Sequence, residues 1–405
     1  MLSVEEALAK VLEHARRLPP TSVALADAAG LVLAEDIASD VDSPPHDKSI
    51  VDGYAVRSAD VLAGQLELDV IEEVLAGQVP QCTLEPRQAT RIMTGAPIPQ
   101  GADAVVMLER TALLPAESSS SSLVTVRIES GIFRPGQNIV RRGACMRQGE
   151  IVLTAGRMIR PIEIGVLAET GHIQVSVVPR PLVAVLATGN ELVPADTPPA
   201  AGQIRNSNGP MLAALVERCD CIATNLGIGR DDEAHLHELV KRGLEADVLV
   251  LSGGVSAGVL DLAPQVFNVL GVQQVFHKVS LKPGKPLWFG VWRGADRQTL
   301  VYGLPGNPVS SLVCFELFVR PALGRLMGRD DMDLRRETRA LASDFQHRGD
   351  RPTYHPSRIA SGAIEPLSWQ GSGDLRTLVD ATALAHFPTG DRAHRAGELV
   401  EVFEF

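Results

Sequence analysis

Asp247-Val-Leu-Val-Leu-Ser-Gly-Gly-Val-Ser256 is the stretch that decides the fold class. Its apolar run has the length and composition of a buried strand, and it passes without a break into Ser252, Gly253, Gly254 and Ser256. Glycines, hydroxyls and free backbone N–H groups at the carboxyl end of a strand can cradle a phosphate or another oxyanion without a charged side chain. The same glycines also suit a tight turn that needs positive φ. Asp261 follows, placed either to cap the next helix or to bind a metal or a ligand hydroxyl.

Outward from this turn, pattern and length predict strands over 182–187, 221–226, 247–251, near 272–280 and near 299–302. They predict helices over 208–218, 231–245, 262–270 and 308–326. Such alternation implies a parallel sheet covered by helices on both faces, and ligands of such sheets sit at the carboxyl ends of the strands. Two more oxyanion-friendly turns lie in this region. In Gly303-Leu-Pro305-Gly306-Asn307-Pro308, Asn307 can serve as N-cap and Pro308 fits the first helical turn. In His277-Lys278-Val-Ser-Leu-Lys282-Pro-Gly-Lys285-Pro286, the Pro283-Gly284 turn would let Lys282 and Lys285 converge on one anion, unless the loop is simply an exposed basic one.

Acidic residues also stand at turns: Asp52 before Gly53, Glu191 in Thr188-Gly-Asn-Glu191, and Asp231-Asp232 at a helix start. Carboxylates beside phosphate sites commonly hold Mg²⁺. Helix capping would equally account for Asp231 or Asp232, and a plain Asp-Gly turn for Asp52. No GxSxG elbow occurs and the histidines are scattered, which sets aside a Ser-His-Asp hydrolase.

The flanks have a different texture. Ser3 and Glu6 form a capping box ahead of an amphipathic helix that Pro19-Pro20 must stop. Residues 40–180 read as mostly β, with strands at 104–108, 123–128 and 173–178, and the Ser118–Ser122 run reads as a hairpin tip or loop. The tail from 333 to 405 returns to β and reads as a small separate domain. A chain of 405 residues is too long for one ordinary core. Its net charge of −11 argues against nonspecific binding to nucleic acid or anionic lipid. Cys82, Cys145, Cys219, Cys221 and Cys314 lack CxxC spacing and read as small apolar filler in a reducing cytoplasm. No apolar run approaches the ~18 residues of a membrane span, and the acidic N-terminus does not read as a signal peptide.

These motifs together resemble the molybdopterin molybdenumtransferase family, the MoeA-type molybdenum insertases and the C-terminal part of gephyrin. The strings that carry the resemblance are Asp52-Gly-Tyr-Ala-Val-Arg57, Met93-Thr94-Gly-Ala-Pro97 through Val106, Ala187-Thr-Gly-Asn-Glu-Leu192, Ser252-Gly-Gly-Val-Ser256, Lys282-Pro-Gly-Lys-Pro286 and Gly303-Leu-Pro-Gly-Asn-Pro-Val309. The resemblance implies an elongated α+β domain (1–42 and 140–179), a β-rich domain (43–139), an α/β molybdopterin-binding domain (180–327) and a C-terminal β barrel (333–405). It implies a cytoplasmic, Mg²⁺-dependent homodimer with a shared active site, which inserts molybdate into adenylyl-molybdopterin and releases AMP. A molybdopterin adenylyltransferase is the implied protein partner.

By position, the resemblance puts Lys278 and Lys282 on anionic oxygens, Asp231 and Asp261 at the nucleotide and metal region, and Glu191 by the pterin phosphate. Asp52 and Thr94 would come from the other subunit's β domain. Ser252, Gly253, Gly254, Ser256, Lys285, Pro305, Gly306, Asn307, Arg351 and Ser372 would contact substrate. The chain departs from the family pattern at Ala144-Cys145, where Glu-Asp is usual, at Lys48-Ser-Ile-Val51, and at Asn190, where Asp is common. Two rivals are an adenylyltransferase, which would need only the α/β domain, and a scaffolding protein, for which no linker or interaction tail is present.

Overall fold

The computed structural model describes residues 1–114, 124–131, 133–255, 262–333 and 335–405. The expected loop at Ser118–Ser122 lies outside the described residues, as do Ser256 and Asp261. Contacts group the chain into two units: Met1–Ala34, Gly156–Arg160 and Val175–Phe405 form the larger, Glu35–Ala155 and Pro161–Gln174 the smaller.

The larger unit begins with helix α1 (Val4–His14), whose capping box is complete: the Glu6 amide donates to Ser3 Oγ and the Ser3 amide to Glu6 Oε2. Its buried stripe of Val4, Ala7 and Val11 joins the core under the central sheet. That sheet is built from β1 (Leu182–Thr188), α2 (Asn208–Arg218), β2 (Ile222–Gly229), α3 (Glu233–Gly243), β3 (Val248–Ser252), α4 (Ala263–Val269), β4 (Gln273–His277), β5 (Trp288–Arg293) and β6 (Gln298–Leu304). The strand order is β2-β1-β3-β6-β5-β4.

Side chains alternate between the faces of each strand. Val183, Val185, Val248 and Val250 accordingly pack with Leu212 and Val216 of α2 on one face. Ala184, Leu186, Leu249 and Leu251 pack with Leu236 and Val240 of α3 and Phe267 of α4 on the other. Helices do cover both faces.

The expectation of a parallel sheet holds for β2, β1, β3 and β6 but fails for β5, which runs antiparallel to both β4 and β6. The reason is the connection. A parallel neighbour needs a crossover of a dozen or more residues, usually a helix, whereas β4 and β5 are joined by the Pro/Gly-punctuated segment 278–287. That hairpin loop carries the three lysines. Because His277 pairs with Trp288 and Trp288 with Gly303, the loop emerges at the same end as the carboxyl termini of the parallel strands.

The expected helix over 308–326 is present but interrupted. It runs as α5 (Pro308–Cys314), a π-helical turn (Phe315–Val319) and α6 (Arg320–Met327). Pro321 has no N–H to return to the preceding turn, and the interruption falls in that turn.

The C-terminal part of this unit is an antiparallel sheet of Arg336–Ala340, Leu399–Glu404, Ala383–Phe387, Thr353–Ala360 and Ala363–Pro366, in that order. Its two edges meet, since Leu341 bridges Ile364 and the Ala342 amide donates to the Ile364 carbonyl at 2.8 Å. Ile364, Phe387 and Val402 fill the interior.

In the smaller unit the expected β texture appears as a six-stranded sheet in the order Ala104–Met107, Gly53–Val56, Gln88–Ile92, Glu67–Val74, Val124–Ile128 and Thr111–Leu113. Gly53 has no alternative there: a Cβ at this position would lie 1.9 Å from the Val106 carbonyl oxygen of the neighbouring strand. The helix Pro161–Glu169 was not evident from pattern, because Pro-Ile-Glu-Ile-Gly-Val-Leu-Ala-Glu has no one-sided apolar stripe.

Candidate functional site

The turns after β1, β3 and β6 meet above the carboxyl edge of the larger unit's sheet. The Gly253 amide donates to the Leu304 carbonyl at 3.0 Å, tying the second turn to the third. Around them is a cleft of about 650 Å³ lined by Thr188, Glu191, Arg205, Asn208, Asp231, Ser252–Val255, Pro305–Pro308, Gly373 and Leu375. Gly253 adopts φ +96°, and a Cβ there would sit 2.5 Å from the Thr188 carbonyl oxygen. Glycine is required by both conformation and space, so the backbone itself forms the floor.

Not every side chain of these turns faces a ligand. Ser252 is 2% exposed, and its Oγ accepts from Asn208 Nδ2 at 2.8 Å while lying 3.3 Å from Ser311 Oγ. Its hydroxyl is thus an internal brace, and the oxyanion capacity of this turn rests on backbone N–H groups. Asn307 occupies the expected N-cap position, but its side chain makes no capping bond. Asn307 Nδ2 donates instead to Ser372 Oγ at 2.8 Å, and the Ser372 carbonyl accepts from the Val309 amide at 3.1 Å. The structure therefore brings Asn307 and Ser372 together, joining α5 to the C-terminal β structure.

The acid pair at the start of α3 is resolved by geometry. Asp232 is the cap, accepting from the His235 amide at 2.8 Å. Asp231 lines the cleft instead, accepting from the Asn190 amide at 3.2 Å while its own amide donates to Asn190 Oδ1 at 3.1 Å. Glu191 lines the same cleft, so two carboxylates share it. Among the described residues there is no cluster of three or more His, Cys, Asp or Glu arranged for a metal. A carboxylate pair nevertheless suits Mg²⁺, which keeps several waters and takes one or two carboxylates plus substrate phosphate.

The three lysines stand apart from the large cleft. Lys278, Lys282 and Lys285 are all absent from the lining of the large cleft. Lys285 is exposed, and Lys278 takes φ +74°. Lys282 lines a second cleft of about 320 Å³ with His347, Arg348, His355 and Trp369, its Nζ donating to the Arg348 carbonyl at 3.0 Å. The loop is pinned by its backbone: the Lys282 amide donates to Pro352 and its carbonyl accepts from Tyr354. Arg351 braces the same junction, donating to the Leu281 carbonyl at 3.0 Å. His355 donates through Nε2 to the Leu367 carbonyl at 2.8 Å, and burial pushes its pKa down to about 4.

In the smaller unit, Asp52 accepts from both the amide and the hydroxyl of Thr94, at 2.7 and 2.9 Å. These bonds, the amide's foremost, hold its carboxyl below the usual range. The filler reading of the cysteines holds for Cys219, Cys221 and Cys314 but fails for Cys82 and Cys145, which are exposed. Cys145 sits on the chain reversal of Gly143–Met146, where its backbone bonds to Ser43 while its side chain has no core to enter. Sequence reading missed Thr188, Arg205 and Asn208 as cleft residues. The Asn206-Ser-Asn208 run ahead of Pro210 was the available signal, since it marks a helix start opening on the same edge.

No helix among the described residues is long and apolar enough to cross a membrane. The chain matches the family models described as "MoeA N-terminal region (domain I and II)" over residues 2–171, "Probable molybdopterin binding domain" over 184–325 and "MoeA C-terminal region (domain IV)" over 338–405. It is 34% identical to the molybdopterin molybdenumtransferase of Staphylococcus aureus strain Mu50 over 410 aligned positions, covering 99% of this chain and 95% of that protein. The enzyme of the same name from Staphylococcus epidermidis strain RP62A is likewise 34% identical, with the same coverage. Among solved structures, the molybdopterin biosynthesis MoeA protein of Pyrococcus horikoshii superposes with a TM-score of 0.86 at 30% identity, over 100% of this chain and 99% of that one.

Proposed function

The chain belongs to the molybdopterin molybdenumtransferase family of molybdenum cofactor biosynthesis, and from that premise we propose that it inserts molybdate into adenylyl-molybdopterin, cleaving the phosphoanhydride, releasing AMP and leaving molybdenum on the dithiolene sulfurs. The observation that carries this reading is the presence of two clefts, one at the carboxyl edge of the central sheet floored by backbone at Gly253, and one where the Lys282 ammonium meets the C-terminal β structure. The reaction needs two oxyanion seats, one for a pterin phosphate and one for molybdate.

In this reading the backbone N–H groups around Gly253–Gly254, with Gly306, hold the pterin phosphate. Ser256 as a substrate contact and Asp261 at the nucleotide and metal region belong to the same proposal. Lys282, supported by Arg348 and Arg351 at the same junction, balances the charge of molybdate, and Lys278 and Lys285 are further proposed contacts for anionic oxygens of the substrates. Glu191 and Asp231 would hold Mg²⁺, which supplies charge neutralisation at the phosphoanhydride. The Asn190 clamp keeps Asp231 turned to the cleft. Asp52, held ionised by Thr94, completes the site from a second copy of the chain. The homodimer that this requires is part of the same proposal. The four domains, the cytoplasmic location and supply of substrate by a molybdopterin adenylyltransferase belong to the same proposal.

Purified protein given adenylyl-molybdopterin should release AMP only when molybdate and Mg²⁺ are both present, as followed by chromatography of the nucleotide. AMP release that ignores molybdate, or no release with both present, would overturn the assignment.

A further inference from the structure

A third cleft, of about 650 Å³, is lined from the short 3₁₀ helix Leu375–Val379 and the turn before it. It borders both clefts already described. Gly373 lines it and the large cleft, while Leu367 and Ser368 line it and the cleft of Lys282. The run 367–375 is thus a wall common to all three. The charged side chains of the third cleft are Asp374, Arg376 and Asp380. Asp374 is committed to the fold: its Oδ1 accepts from the Thr377 amide at 3.3 Å, and its Oδ2 from the Gln370 amide at 3.1 Å and the Thr377 hydroxyl at 2.7 Å. Asp380, at the C-cap of the same helix, is exposed, and its carboxylate has no hydrogen bond or ion pair among the described residues. Arg358 feels its charge but is already held by Glu365 Oε2 at 2.7 Å. The cleft therefore offers one carboxylate with both oxygens unclaimed.

In adenylyl-molybdopterin one rigid fused ring system bears the dithiolene sulfurs, and a single methylene joins that system to the phosphate. With the phosphate on the glycine floor and molybdate beside Lys282, the rest of the ring must lie in space that borders both seats. The third cleft does so, and its volume falls in the range usual for cofactor pockets. The far end of the ring is an aminopyrimidinone, whose N3–H and 2-amino group are adjacent donors. A carboxylate accepts from such a pair through both oxygens at once, as it does from the fork of an arginine. Adenine, at the other end of the substrate, sets its amino donor beside the bare nitrogen N1, which the second carboxylate oxygen would repel. The unclaimed acid suits the pterin and not the nucleobase.

We infer that the third cleft is the seat of the substrate's pterin ring, with the Asp380 carboxylate accepting from its N3–H and 2-amino group. The inference deepens the insertase reading above and rests on it. It divides the substrate between two parts of the larger unit: the segment matched as molybdopterin-binding, 184–325, holds the phosphate, and the C-terminal structure holds the ring.

Asp380→Asn is the test, since asparagine keeps the size of the side chain but replaces one acceptor by a donor. The carboxylate it removes is exposed and without a partner, so thermal denaturation should not move. Retention of molybdopterin by the purified chain, measured by anaerobic ultrafiltration and the fluorescence of the oxidised pterin, should weaken about tenfold or more, the loss expected for hydrogen bonds to a charged group. Asp380→Glu, which returns both acceptors, should recover part of it. Calorimetric binding of AMP, which contains no pterin, should stay within about twofold. Equal retention of molybdopterin by the unaltered chain and Asp380→Asn would overturn the inference. So would undetectable retention by the unaltered chain, or a parallel loss of AMP binding in the variant. The insertase reading fails separately: a chain that loses molybdopterin through Asp380→Asn yet never releases AMP removes that reading alone. A variant that releases AMP with an unchanged KM for adenylyl-molybdopterin removes only the pterin seat.

Discussion

Lys282→Ala is expected to cut molybdate-dependent AMP release by about a hundredfold or more, the loss typical of removing one charged group from a preorganised anion site, while the protein stays folded. The two halves of this expectation come from different atoms of one residue. Its backbone carries the junction between the lysine loop and the C-terminal β structure, through the Lys282 amide to Pro352 at 2.9 Å and the Tyr354 amide to the Lys282 carbonyl at 2.8 Å. Alanine keeps both. The side chain beyond Cβ contributes only the bond from Nζ to the Arg348 carbonyl at a solvent-accessible position, where water can replace it. Thermal denaturation should therefore move little while turnover falls, and Lys282→Arg should restore part of the activity by returning the charge with different geometry. Unchanged turnover in the alanine variant would remove the second cleft from the chemistry.

What the sequence disclosed, and what it hid, follows from the range of each interaction. Strands β1 and β3 and helices α2 and α3 were legible because burial on both sheet faces forces continuous apolar runs, and caps such as Asp232 announce helix starts locally. Gly253 was legible because a strand running into paired glycines has few structural meanings, and its positive φ and closeness to Thr188 supply the reason. By contrast, where the lysine loop is pinned was not legible, because adjacency along the chain says nothing about distant backbone partners. The bonds that hold it at Lys282 come from Pro352 and Tyr354, about seventy residues away in sequence. Asn307 hid its role similarly: its cap position is local, but its partner Ser372 sits in a turn far along the chain. Asn208 hid for the same reason, since its two acceptors at 252 and 306 meet only when three turns assemble. The exposed Cys145 and the helix Pro161–Glu169 were misread or missed because composition alone cannot distinguish apolar residues inside a core from apolar residues left at a surface.

Glu316→Ala should lower the free energy of unfolding of the larger unit by about 3–5 kcal/mol, the range for removing one partner of a buried ion pair. Glu316 is fully buried in the π-helical turn, and its carboxylate is bound by two arginines: Arg218 at the end of α2 and Arg320 at the start of α6, the latter at 3.2 Å. A carboxylate taken out of water is tolerable only because both oxygens are occupied by charged donors. The arrangement also explains why the interrupted helix can carry an acid at a core position. The π-turn rotates residue 316 toward α2, and Arg218, whose side chain remains 43% exposed, reaches in from the solvent edge. Deleting the carboxylate leaves two guanidinium groups facing each other across a cavity beside Cys219, which is itself buried. Arg218→Ala should cost less, because Arg320 still neutralises the acid. Glu316→Gln should fall between, keeping volume and one acceptor. Urea denaturation followed by circular dichroism measures all three, and the required order of loss is Glu316→Ala, then Glu316→Gln, then Arg218→Ala. A Glu316→Ala midpoint equal to that of the unaltered chain would mean that the ion triad merely breaks even against its own desolvation. In that case α2 and α6 would be held together by the apolar contacts of Leu212, Leu215 and Leu323 alone.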